Sequence, residues 1–86
     1  MNTSENDVKV KNLRFAGENM VVVLSNRTTI TVPLKDFSRL ATAKAEILSK
    51  WQPVAAGKGI HWEELDEDIS IAGLLHDYPI QVSGTF

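Results

Sequence analysis

The sequence predicts an α+β fold: a small antiparallel β-meander packed with short helices, plus a C-terminal short strand and helix. Two observations carry this. The apolar period is close to two from Val8 to Val32, and it becomes about 3.6 after Pro33. A third is size, because 86 residues leave room for one core that buries somewhat over roughly 60% of the unfolded surface. The expected organisation is a polar N-terminal tail over 1–7 and a single α+β domain over 8–86.

Val8 and Val10 alternate with Lys9 and Lys11, and the apolar parity then moves to Leu13 and Phe15. One strand with a bulge or turn near Lys11 and Asn12 accounts for the shift. Gly17-Glu18-Asn19 reads as a turn, followed by two strongly β-prone runs, Met20 to Leu24 and Thr28 to Val32. Ser25-Asn26-Arg27 joins them as a hairpin, with Asn26 the residue that tolerates positive φ. Lys9, Lys11 and Arg14 make a short basic stripe of the kind that keeps an edge strand from aggregating.

Pro33 cannot donate to a sheet ladder and suits the first position of a helix. Phe37, Leu40, Ala41, Lys44, Ile47, Leu48 and Trp51 then fall at helical spacing. Thr42 is placed to cap a second helix from Ala43, so Pro33 to Trp51 reads as two short helices or one bent helix. Glu46 and Lys50, four apart, are expected to pair. Pro53, Gly57 and Gly59 mark a loop. Gly59 to Trp62 reads as extended, with Ile60 and Trp62 on one face and His61 on the other. Ser70 is an N-cap for a short helix carrying Ile71, Leu74 and Leu75, which Gly73 leaves dependent on packing. His76 to Phe86 shows no clear period. The core is expected from Phe37, Leu40, Ile47, Leu48, Trp51, Ile60, Trp62, Leu65, Ile71, Leu74 and Leu75.

Composition narrows the function classes. The absence of cysteine leaves no disulfide or thiolate metal site and fits a cytoplasmic location. No apolar run approaches the roughly 20 residues that span a bilayer, so no membrane partner is expected. A net charge of -2 opposes the cationic surface that nucleic-acid binding needs, which makes nucleic acid the least favoured partner.

The segment "GKGIHWEELDEDISIAGLL" raises the chemical question, since Glu63, Glu64, Asp66, Glu67 and Asp68 crowd behind His61. A metal site is not expected: His61 and His76 lie in different elements, and a calcium loop starting at Asp66 would put Ile71 where the sharp-turn glycine belongs. Neither a cofactor nor a catalytic residue is assigned, since no phosphate loop or nucleophile elbow is present. Five acids this close favour a solvated face for Glu63, Glu64 and Glu67. Asp66 and Asp68 are read as local hydrogen-bond acceptors that fix the turn into the Ser70 helix. His61 can be a ligand, a base or a half-exposed strand residue, and its apolar strand neighbours favour the last. An enzyme or small-molecule site built on His61 with Asp66 or Asp68 requires all of them within hydrogen-bond reach in one pocket. The preferred reading is a protein–protein interaction module using His61, Glu63, Glu64, Asp66, Glu67 and Asp68, with self-pairing into a homodimer as one way to cover a sheet edge.

"VPLKDFSRLATAKAEILSKW" and "GKGIHWEELDEDISIAGLL" together resemble the bacterial domain-of-unknown-function family 2442 over nearly half the chain. Its pattern falls here on Pro33, Leu34, Phe37, Ala41, Thr42, Trp51, Gly59, Ile60, His61, Trp62, Leu65, Asp66, Glu67, Asp68, Gly73, Leu74 and Leu75. Asp36 and Ala43 depart from it, standing where relatives commonly carry an aromatic and a proline. The resemblance implies no established activity. It does imply a genomic setting, a neighbouring small protein in an arrangement like a toxin–antitoxin pair, so the neighbouring gene's product is the expected partner. Some members add a helix-turn-helix, which is not expected within these 86 residues.

Overall fold

The computed structural model describes residues 8–82, so the expected polar tail lies outside the described residues. The β-branched first half forms three antiparallel strands, β1 (Val10–Ala16), β2 (Asn19–Leu24) and β3 (Thr28–Pro33). The parity switch in β1 is a bulge: Val10 pairs with Leu24 and Asn12 with Val23, which leaves Lys11 as the extra residue. Val10, Leu13 and Phe15 therefore all oppose core residues of β2, namely Leu24, Val22 and Met20. In the β2–β3 turn the positive φ falls on Arg27 (69°) rather than on Asn26. Asn26 instead folds its side-chain oxygen onto the Thr28 backbone N–H.

Pro33 closes β3 opposite Asn19 and leads into a 3-10 turn, Leu34–Asp36. Two one-turn helices follow, α1 (Ser38–Ala41) and α2 (Ala45–Leu48). Thr42 ends the first of them instead of opening the second, whose N-cap is Lys44. Lys50 pairs with Glu64 at 3.6 Å in place of the expected Glu46.

Beyond the helices lies more strand than the sequence suggests. Gln52–Val54, expected as loop, is β4, and Pro53 is tolerated there because β4 is an edge strand. β5 (Gly59–Trp62) lies between β4 and β6 (Glu67–Ser70) in a second antiparallel sheet. α3 (Ile71–Asp77) then leads to β7 (Ile80–Val82), which joins the first sheet in the order β1-β2-β3-β7.

One hydrophobic cluster spans both sheets and the helices. Met20, Val22, Ile30, Val32, Leu40 and Ile60 are fully buried in it, and Trp62 and Ile71 nearly so. Phe37, Trp51, Leu65 and Leu75, expected as core, are half-buried and pack on its outside, and Ile47 is half-buried too. Trp62 ties the second sheet to the helices, its indole N–H donating to the Leu48 carbonyl at 3.0 Å. Tyr78, just past α3, donates its hydroxyl to the Asp36 carboxylate at 2.8 Å, and this bond raises its pKa.

Ser70 caps α3 as its position implies, its hydroxyl oxygen accepting the Gly73 N–H at 2.9 Å. A Cβ on Gly73 would stand 2.9 Å from that same oxygen, so the glycine is what lets the cap close. Ser70→Ala is expected to lower stability by about 1 kcal/mol. In urea unfolding this would appear as a lower midpoint at unchanged m, and an unchanged midpoint would show that the cap contributes nothing.

Candidate functional site: the acidic hairpin

The crowded carboxylates form a β-hairpin, not a turn running into a helix. Ile60 pairs with Ile69 on the inner face, and His61 pairs with Asp68 on the outer face. On the other side of β5, His61 stands opposite Gln52 of β4. Between the strands, residues 63–66 turn the chain, with Leu65 N–H bonded to the Trp62 carbonyl and Asp66 N–H to the Glu63 carbonyl, each at 3.3 Å. Asp66 takes φ 52°, a left-handed conformation that aspartate adopts more readily than most residues.

Arg39 of α1 locks this turn from outside. Its Nη1 donates to the Asp66 carbonyl at 2.7 Å and to the Leu65 carbonyl at 3.3 Å. No local pattern in the sequence signals this contact, because the partners lie 26 and 27 residues away. Asp66 thus serves through its backbone conformation and its carbonyl, and its expected role as a side-chain acceptor for the α3 turn is replaced by this one.

Asp68 also does something other than expected: its Oδ1 lies 2.6 Å from His61 Nδ1. The second ring nitrogen, Nε2, is 3.2 Å from Glu63 Oε1. The imidazole is therefore held between two carboxylates, with 20% of its side chain exposed. The pKa of His61 is raised, first by the hydrogen bond to Asp68, then by the bond to Glu63 and the charges of both, against a lowering from partial desolvation.

Of the expected site residues, the structure brings together His61, Glu63 and Asp68. Glu64 faces Lys50 instead, Glu67 is half-buried opposite Trp62, and Asp66 is held at the turn. Asp68 meets the hydrogen-bond reach that a site built on His61 requires, whereas Asp66 is engaged through its carbonyl by Arg39; Nε2, where a general base would meet its substrate, faces the exposed Glu63. Among the described residues no set of three or more histidine or acidic side chains is placed to hold a metal ion. The two carboxylates lie on opposite nitrogens of one ring, so they do not converge. A small concavity of about 250 Å³ adjoins the hairpin, with Ile47 and Trp62 beside Lys50, Glu63 and Glu64. A larger groove of about 640 Å³ lies elsewhere, between the β1–β2 turn and the two one-turn helices. Among the described residues no helix is long and apolar enough to cross a membrane.

A family model described as a protein of unknown function, DUF2442, matches residues 10–79. No curated protein matches. The fold is similar to the crystal structure of a protein of unknown function from Rhodospirillum rubrum ATCC 11170, with 28% sequence identity and a TM-score of 0.72. That likeness covers 93% of this chain and 94% of the other.

Proposed function

The chain belongs to the DUF2442 family, and from that premise we propose that it is a protein–protein interaction module whose acidic hairpin docks a basic partner. The observation that carries this reading is the ordered display of Glu63, Glu64, Asp66 and Asp68, all exposed, on a hairpin held by Arg39 and by the Trp62 indole. A rigid acidic surface attracts a cationic partner over a distance and loses little freedom when the partner arrives. The concavity flanked by Ile47 and Trp62 offers an apolar contact next to the charges. The partner of choice is the neighbouring gene's product, with this chain as the antitoxin-like member of the pair. That choice rests on the genomic setting the family resemblance implies.

Self-association is a second reading, favoured by one observation. β7 is an outer strand of its sheet, and Ile80 on it is 43% exposed, whereas the opposite edge carries the bulge and the cations Lys9, Lys11 and Arg14.

Co-purification with the neighbouring gene's product tests the docking, and light scattering on the chain alone counts its copies. Neutralising the hairpin with Glu63→Gln, Glu64→Gln and Asp66→Asn together, all at exposed positions, is expected to slow association about tenfold or more at low salt, with a smaller loss at high salt. A complex that never forms, or one whose association rate ignores both salt and the triple substitution, overturns the proposal.

A further inference from the structure

We propose that His61 is a proton-operated latch on the acidic hairpin, holding Asp68 across the strands and Glu63 at the turn while both ring nitrogens carry protons, and releasing Glu63 when one proton leaves. A neutral imidazole has one N–H and one bare nitrogen, whereas an imidazolium donates from both. Here each nitrogen faces a carboxylate oxygen, at 2.6 Å and at 3.2 Å. Only the protonated ring satisfies both contacts, because in the neutral ring one nitrogen lone pair would confront a carboxylate oxygen.

The contact that yields is also decided by geometry. Asp68 is fixed opposite His61 by the ladder, and its bond is the shorter. Glu63 stands at the start of the turn with 83% of its side chain exposed, so it can leave for water. The surroundings favour the protonated state. On β4 the uncharged Gln52 stands opposite His61 in the ladder, Lys50 ahead of that strand is engaged with Glu64, β6 contributes Asp68 and the turn contributes Glu63. The charges acting on the ring are thus those of Asp68 and Glu63, both negative.

The sign follows from the raised pKa of His61. The latch contributes fully below the ordinary histidine value of about 6.5 and is lost as pH rises through the raised folded value. Loss of the proton adds one unit of negative charge to the hairpin and frees Glu63. On the docking reading above, on which this consequence rests, a cationic partner competes with His61 for these carboxylates, so its binding expels the proton and proton uptake weakens its binding.

Imidazole ¹⁵N shifts of the full-length chain, followed by NMR across pH, test the latch without any partner. Both His61 nitrogens are expected to be protonated at mildly acid pH, with the midpoint above the ordinary histidine value. Asp68→Asn is expected to move the midpoint down the most, Glu63→Gln to move it less, and the backbone amides of 63–66 to shift with the wild-type midpoint. A wild-type midpoint at the ordinary value that neither variant moves, or turn amides that ignore the titration, overturns the proposal. Because the free chain is measured, this failure is separate from a failure of partner docking, which the co-purification reads.

Discussion

Trp62→Ala is expected to destabilise the protein by about 3–5 kcal/mol. The side chain is 1% exposed, so its removal opens a cavity where the second sheet meets the helices. It also leaves the Leu48 carbonyl without the indole N–H that now satisfies it, and an orphaned buried acceptor carries its own cost of about 1–3 kcal/mol. A domain of this size has roughly 5–15 kcal/mol in total, so the variant is expected to be partly unfolded at physiological temperature. Trp62→Phe separates the two contributions. It keeps most of the apolar volume and loses the hydrogen bond, so its cost should fall well below that of alanine. Urea unfolding followed by far-ultraviolet circular dichroism measures both variants. A loss below about 1 kcal/mol for Trp62→Ala would mean that the indole does not hold the sheet to α2.

Trp62 also shows what the sequence makes legible. Gly-Ile-His-Trp reveals its alternation, and the structure buries Ile60 and Trp62 while leaving His61 on the outer face. The bulge at Lys11 and the Ser70 cap were readable for the same reason, since each leaves a mark within a few residues. What stayed hidden are the elements defined by distant partners. β4 and β7 have three residues each, too few to show a period, and they are strands because β5 and β3 pair with them. β6 was hidden by its charge: Glu67, Asp68 and Ser70 surround Ile69, the one residue of that strand that the core claims.

The candidate site divides in the same way. The crowding of carboxylates behind His61 is plain in the sequence, and so is the expectation that most of them face water. Which aspartate meets the histidine was not, because that depends on the register of a hairpin whose second strand was unseen. Once His61 is paired with Asp68, the alternation of the strands sets both side chains on one face. Asp66 is left at the turn, where a left-handed residue and two carbonyls facing Arg39 matter more than a carboxylate. Arg39 itself is an ordinary exposed helix residue until α1 and the hairpin are packed together.

The second large effect lies where the loop between β4 and β5 meets the Lys9 side chain, just ahead of β1. Gly57, in the loop between β4 and β5, has φ +88°, and a Cβ built on it would stand 2.9 Å from the Lys9 Cβ and 3.2 Å from its Cγ. Gly57→Val is therefore expected to cost about 2–4 kcal/mol, from a left-handed backbone that branched residues resist and from overlap with the segment leading into β1. The nearest contact is with Lys9 Cβ, so rotating the lysine does not relieve it and the chain itself must move. Lys9→Gly in the Gly57→Val background removes the overlap and leaves the backbone strain. The double variant, compared with Lys9→Gly alone, should recover about half of the loss, and unfolding midpoints of the four proteins read the coupling directly. Full additivity of the two substitutions would show that the strand and the loop do not meet here. A Gly57→Val variant as stable as the parent would show that neither the positive φ nor the close approach constrains the protein in solution.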